Sequence, residues 1–86
     1  MSKEDSRIED LPLADLVRRR LCSLLDRIGS HHLPDLYTQV LEEVERVLIE
    51  EALRRARGFR KEAAQILGIH RNTLRLRIRK LGIKYR

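Results

Sequence analysis

Leu13, Leu16, Val17, Leu21, Leu24, Leu25 and Ile28 recur at steps of three and four residues. On an α-helix of about 3.6 residues per turn such positions stack into one apolar stripe. Pro12 suits a helix's first turn, where its missing N–H costs nothing, and Gly29 suits the C-terminal cap. Asp15, Arg18, Arg19 and Asp26 occupy the opposite face. A second, longer helix is predicted from Pro34 to about Arg57. Its apolar positions are Leu36, Tyr37, Val40, Leu41, Val44, Val47, Leu48, Ala52, Leu53 and Ala56, with Ile49 beside them. This stripe is wider than packing against one neighbour requires. At ~1.5 Å per residue the helix is also about 35 Å long, too long for so small a chain to cover alone. The surplus surface points to a second copy, with two helical hairpins packed as a four-helix bundle.

Chain length supports that expectation. Eighty-six residues make one domain and bury only about 60–65% of the unfolded surface, so a monomer would be marginal. The aromatics are Tyr37, Phe59 and Tyr85; the remaining apolar content is aliphatic and suits helix packing. Small aliphatic domains need a staple, and association supplies one. Cys22 is the single cysteine, so no disulfide can form within the chain. No apolar stretch approaches the roughly 18 residues of a membrane span, and the N-terminus is charged rather than signal-like. A cytoplasmic protein is expected.

Past Gly58, which is expected to stop the second helix, the pattern shortens. A brief helix is predicted from about Lys61 to Leu67, a turn at Gly68-Ile69-His70, and a last helix from about Arg71 to Leu81 capped by Gly82. Two short helices joined by a tight glycine-containing turn are a helix-turn-helix. Ala63 and Ala64 are small enough for a close helix crossing, and Ile69 and Leu74 are expected to fill the corner. The predicted fold is all-α with four helices per chain: a helical hairpin forming a dimeric four-helix bundle, plus a C-terminal helix-turn-helix. Residues 1–11 read as a disordered leader, 12–57 as the two-helix dimerisation region and 58–86 as the DNA-binding region.

Charge divides the chain in the same place. From Leu53 to Arg86 there are 12 Lys/Arg against the single acid Glu62, whereas Met1 to Ala52 carries 7 against 12 acids, for a net +6. Such segregation reserves the C-terminal part for a polyanion. On the last helix Leu74, Ile78 and Leu81 form an apolar keel. Asn72 and Leu76 point away from it, with Thr73, Arg79 and Lys80 beside them and Arg75 and Arg77 on the flanks. A groove-reading helix needs that arrangement, with cations placed for phosphates. Arg71, in the first turn, can make two hydrogen bonds to guanine, and Leu76 can pack on a thymine methyl.

The stretch Gly58 to Gly82 resembles the Fis-type helix-turn-helix. Arg71-Asn72-Thr73-Leu74 and Ile78-Arg79-Lys80-Leu81-Gly82 look most like its NtrC branch, the C-terminal DNA-binding domain of enhancer-binding activators. So does Leu36-Tyr37-Thr38-Gln39-Val40-Leu41-Glu42-Glu43-Val44-Glu45-Arg46. The resemblance covers about residues 35 to 83 and, loosely, the first helix. It implies a homodimer held by the first two helices, here through Leu16, Leu21, Leu24, Val40, Val44, Val47 and Leu48, with double-stranded DNA as partner. Arg71 is then the base-contacting arginine, with Asn72, Leu76 and His70 also facing bases. Thr73, Arg75, Arg79, Lys80, Arg60 and Lys61 take phosphates. His70 stands where the family often has an asparagine, and Leu76 where it has a basic residue.

The expected function is a homodimeric, sequence-selective DNA-binding transcription regulator, cytoplasmic and nucleoid-associated. A stand-alone Fis-like DNA-bending nucleoid protein is the alternative. A basic module for membrane or RNA surfaces is the alternative from another class, although the apolar keel is needed for packing rather than for lipid. If the chain is part of a longer activator, receiver and ATPase domains are further partners. These residues include no phosphate-cradling glycine-rich loop, no nucleophile with its base and no paired carboxylates in a pocket, so no enzyme is expected. No cofactor and no metal is expected either: His31-His32 lacks further ligands at metal spacing and reads as a polar turn. Cys22, at the edge of the first stripe, is expected to pack.

Overall fold

The computed structural model describes residues 12–29 and 34–84, so the leader expected at 1–11, the turn expected at His31-His32 and Tyr85 lie outside the described residues. These residues form α1 (Leu13–Ile28), α2 (Leu36–Arg55), α3 (Arg60–Leu67) and α4 (Arg71–Leu81), with no strand among them. The all-helical fold read from the sequence is therefore observed, and three of its four helices start or end within a residue of the expected positions. The second is shorter than predicted. Asp35 caps it in a left-handed conformation (φ 61°), so Pro34 stands outside the helix. Two compact units divide at Pro34 and Asp35.

In the first unit α1 is amphipathic but buries none of its residues; Leu13, Leu16, Val17 and Leu25 are exposed, and Leu21 and Leu24 half-buried. Cys22 is free and exposed, against the packing role expected of it.

In the second unit α2 packs on both α3 and α4. Its wide apolar surface resolves into two stripes. Ile49, Ala52, Leu53 and Ala56, at steps of three and four, join Ala63, Ala64, Leu74, Ile78, Leu81 and Ile83 in the core, with Leu67 at its edge. Leu41, Val44, Val47 and Leu48 remain exposed on the other side. Ile49, which the sequence placed only beside the stripe, is core. Four alanines meet in that core, and side chains this small let helix axes approach closely. Leu53 and Leu74 are its fully enclosed large residues. Ile69 does not fill the corner; it is exposed, while Ile83, beyond the last helix, is buried.

The helix ends explain this exchange. At α3, Gly68 is left-handed (φ 71°), its N–H bonds Gln65 and the next N–H, from Ile69, bonds Ala64. The same pair of bonds closes α4, from Gly82 to Arg79 and from Ile83 to Ile78, and drops Ile83 against the keel. This is the Schellman arrangement. It also ends α2, where Gly58 bonds Leu53 and Arg57 bonds Arg54, but there the left-handed residue after the cap is Arg57 (φ 54°). Gly58 thus supplies the second position of the stop rather than the first.

A side chain in that conformation costs about 1–2 kcal/mol, partly offset by a stiffer unfolded chain. A Cβ at Gly68 meets nothing within 4 Å, so backbone strain alone sets its penalty. Gly68→Ala is expected to cost about 1 kcal/mol, lowering Tm by roughly 4–8 °C, and Arg57→Gly to raise it. Thermal denaturation followed by circular dichroism checks both; two unchanged melting temperatures would remove the strain from the account.

Candidate nucleic-acid interface

Leu74, Ile78 and Leu81 point inward as a keel, which turns the rest of α4 outward. Arg71, Asn72, Thr73, Arg75, Leu76, Arg79 and Lys80 are all exposed. The expected reading residues thus share one helix and its open face. Arg60 and Lys61, at the start of α3, are exposed as well. Arg60, His70, Arg71, Asn72 and Arg75 line an open cleft of about 300 Å³. Lys61, Ala64, Gln65, Ile69, His70 and Arg71 line a neighbouring one of about 400 Å³. Four of the first cleft's five lining residues are cations or amide donors, and it opens at the start of α4, the positive end of the helix dipole.

Within the site the side chains are partly organised already. His70 caps α4: its Nδ1 accepts the Asn72 backbone N–H at 3.1 Å. The histidine thus performs the capping for which the family commonly has an asparagine. The Asn72 Oδ1 accepts from Arg75 through Nε at 3.2 Å and Nη2 at 2.6 Å. Its amide N–H₂ is what it then has to offer a base. Leu76 is about half exposed in the middle of this cationic face.

Arg77 departs from the flank position expected of it. Its guanidinium donates from Nε and Nη2 to the two carboxylate oxygens of Glu45 on α2, both at 2.6 Å, and both side chains are about 70% covered. The bonds from Arg77 hold the Glu45 carboxyl below its ordinary range; its partial burial opposes this, and the charges of Arg77 and then Lys80 reinforce it. Next along α2, the Arg46 Nη1 donates to the Leu81 carbonyl at 2.6 Å, satisfying a last-turn acceptor of α4. Sequence reasoning missed Glu45 and Arg46. A signal existed: Glu45 lies four residues before Ile49, so it extends the core stripe of α2 as an acid facing a helix rich in arginine.

Among the described residues no group of three or more metal-ligating side chains gathers, and no helix is long and apolar enough to cross a membrane.

A short helix, a glycine turn and a second helix keeled on a third, with a cationic outer face, define a helix-turn-helix protein. A model of the Fis family, described as a bacterial regulatory protein, matches residues 40–81. The "DNA-binding protein Fis" of Histophilus somni (strain 2336) is 36% identical over 78 residues, covering 91% of this chain and 80% of that protein. Its namesake in Aliivibrio fischeri (strain MJ11) is 37% identical over 76 residues, covering 88% and 78%. That of Proteus mirabilis (strain HI4320) is 38% identical over 72, covering 84% and 74%. The chain belongs to the Fis family of bacterial regulatory proteins.

Proposed function

We propose that the chain is a homodimeric, sequence-selective double-stranded-DNA-binding transcription regulator that lays α4 in the major groove. The observation that carries this is the outer face of α4, where a buried keel presents Arg71, Asn72, Arg75, Leu76, Arg79 and Lys80 together and no acid. Arg71 and Asn72, in the first turn, read base edges with His70 and Leu76. Thr73, Arg75, Arg79, Lys80, Arg60 and Lys61 hold phosphates. Dimerisation uses residues 12–57 through Leu16, Leu21, Leu24, Val40, Val44, Val47 and Leu48. The exposed side of α2 supports it, since Val44, Val47 and Leu48 are each half exposed or more within one chain. Relatives named DNA-binding protein Fis support DNA binding equally under a second reading, a stand-alone nucleoid protein for which DNA bending is part of the proposal. Both place the protein on the nucleoid.

Fluorescence anisotropy of a labelled duplex over a range of salt tests the function. The binding constant is expected to fall steeply with salt as phosphate contacts release counterions. No binding at low salt, with strong binding to anionic vesicles, would replace DNA by a membrane surface. Arg71→Ala is expected to cost about 1–3 kcal/mol on preferred sites and little on random duplex. Equal losses on both would take Arg71 out of base reading. Arg79→Ala is expected to weaken all duplexes alike and lower the salt slope by about one. Arg77→Ala should leave that slope unchanged, because Glu45 already neutralises this cation. A drop equal to that of Arg79→Ala would show that Arg77 leaves Glu45 for phosphate.

A further inference from the structure

We infer that Glu45, Arg46 and Arg77 form a clasp that sets the angle of α4 on α2, and so the spacing of DNA half-sites that a dimer accepts. The inference rests on the dimeric DNA-binding reading above. Glu45, Arg46 and Arg77 are positioning residues, since none of them is assigned to DNA.

Three features of the molecule lead to it. First, the keel sets which face of α4 turns inward, but apolar contact is non-directional and fixes tilt and slide less sharply than a bonded contact does. A two-bond contact between planar groups is directional, and the Glu45–Arg77 pair has that form. The ion pairs Arg18–Asp15, Arg46–Glu43 and Arg54–Glu51 each stay within one helix, whereas Glu45–Arg77 joins two. Secondly, Arg46 seizes the Leu81 carbonyl, a separate point on α4. Arg77 and Leu81 are four residues, about 6 Å, apart along the helix, so the two attachments resist both rotation and tilt. Thirdly, the same turn of α2 carries the proposed dimer contacts. Val44, Val47 and Leu48 lie on one side of it, and Glu45 and Arg46 turn towards α4 on the other. Any change in the clasp therefore reaches the distance between two α4 helices by the shortest rigid route.

The pair also has a cost that affinity alone does not explain. It removes one cation of α4 from the field facing DNA and places an acid near the site, with Lys80 and Glu42 as the other charged groups acting on the pair. A helix tuned only for general attraction to phosphate would leave Arg77 free. Holding it against Glu45 exchanges attraction for geometry.

The test uses duplexes built from the site that the wild-type protein selects out of random sequence. Its half-sites are moved apart or together in single base pairs, each step rotating them by about 35° around the helix axis. The wild-type chain is expected to bind one spacing and to lose affinity one step away. Glu45→Gln is expected to lower the ratio between best and shifted spacing by about fivefold or more, a size usual for coupled contacts. Its affinity for random duplex should stay equal or rise, since an acid has been removed. Arg77→Lys, which keeps the charge but loses the two-bond geometry, should lower the ratio too. The exchange E45R/R77E should recover part of the ratio relative to either single change.

A wild-type ratio in Glu45→Gln and Arg77→Lys would overturn the clasp. So would equal losses at every spacing and on random duplex, which would make the pair a support for folding only. A wild-type protein that binds duplex without spacing preference would overturn the inference and leave DNA binding standing. One that binds no duplex would overturn the function itself.

Discussion

Leu74→Ala is expected to cost about 3–5 kcal/mol of folding free energy, the range for removing a fully enclosed leucine. Leu74 is completely buried and belongs to a core of ten residues, four of them alanines, so its neighbours have little bulk to fill the void. A domain of this size has about 4–13 kcal/mol in total, so the loss takes a large share of it. The keel of α4 is then left to Ile78 and Leu81, and the outward face loses its orientation along with its support. Urea denaturation followed by circular dichroism should show a much lower midpoint, and duplex binding should fail at 37 °C. Leu74→Met, which conserves volume, should cost less than about 1.5 kcal/mol. A Leu74→Ala protein with the wild-type midpoint would mean that the core is centred elsewhere.

Val44→Asp separates the dimeric from the monomeric chain. Within one chain Val44 is 54% exposed, and a surface substitution at such a place usually changes stability by no more than about 0.5 kcal/mol. If the exposed stripe of α2 is the dimer face, the same aspartate is buried unpaired against its own copy, and the dimer dissociates or unfolds. Loss of the second half-site then removes the gain from linked binding, about 10²–10⁴ in affinity. Analytical ultracentrifugation gives the mass and anisotropy on a two-half-site duplex gives the affinity. A folded protein of unchanged mass and affinity would assign the stripe another role.

Much of this structure is legible along the chain because it depends on near neighbours. Steps of three and four set α1, α3 and α4; the glycines at 68 and 82 end α3 and α4 in left-handed turns, and Gly29 ends α1 at a positive φ of another kind. The keel of α4 follows from its own period, and so does the outward set from Arg71 to Lys80. Where local chemistry offers two solutions the reading went astray. Gly58 ends α2 as expected and has a positive φ (87°), but Arg57 before it is left-handed as well (φ 54°), a conformation that a non-glycine residue seldom adopts and that the sequence does not signal. Ile69 and Ile83 each follow a left-handed glycine, yet only Ile83 is buried, as its turn falls beside the keel.

By itself, then, the sequence determined four amphipathic helices, a glycine turn between the last two, a cationic outer face and a surplus of apolar surface on α2. Each is a matter of period, local backbone freedom or charge density. The tertiary structure decided which of α2's two stripes meets the helix-turn-helix. It also decided that Arg77, among the five cations of α4, is the one captured by Glu45, and that Arg46 closes the end of α4. Those choices link residues 32 and 35 positions apart. The physical reason is that arginines on one helix are chemically alike, and only the face turned towards α2 distinguishes the one that pairs.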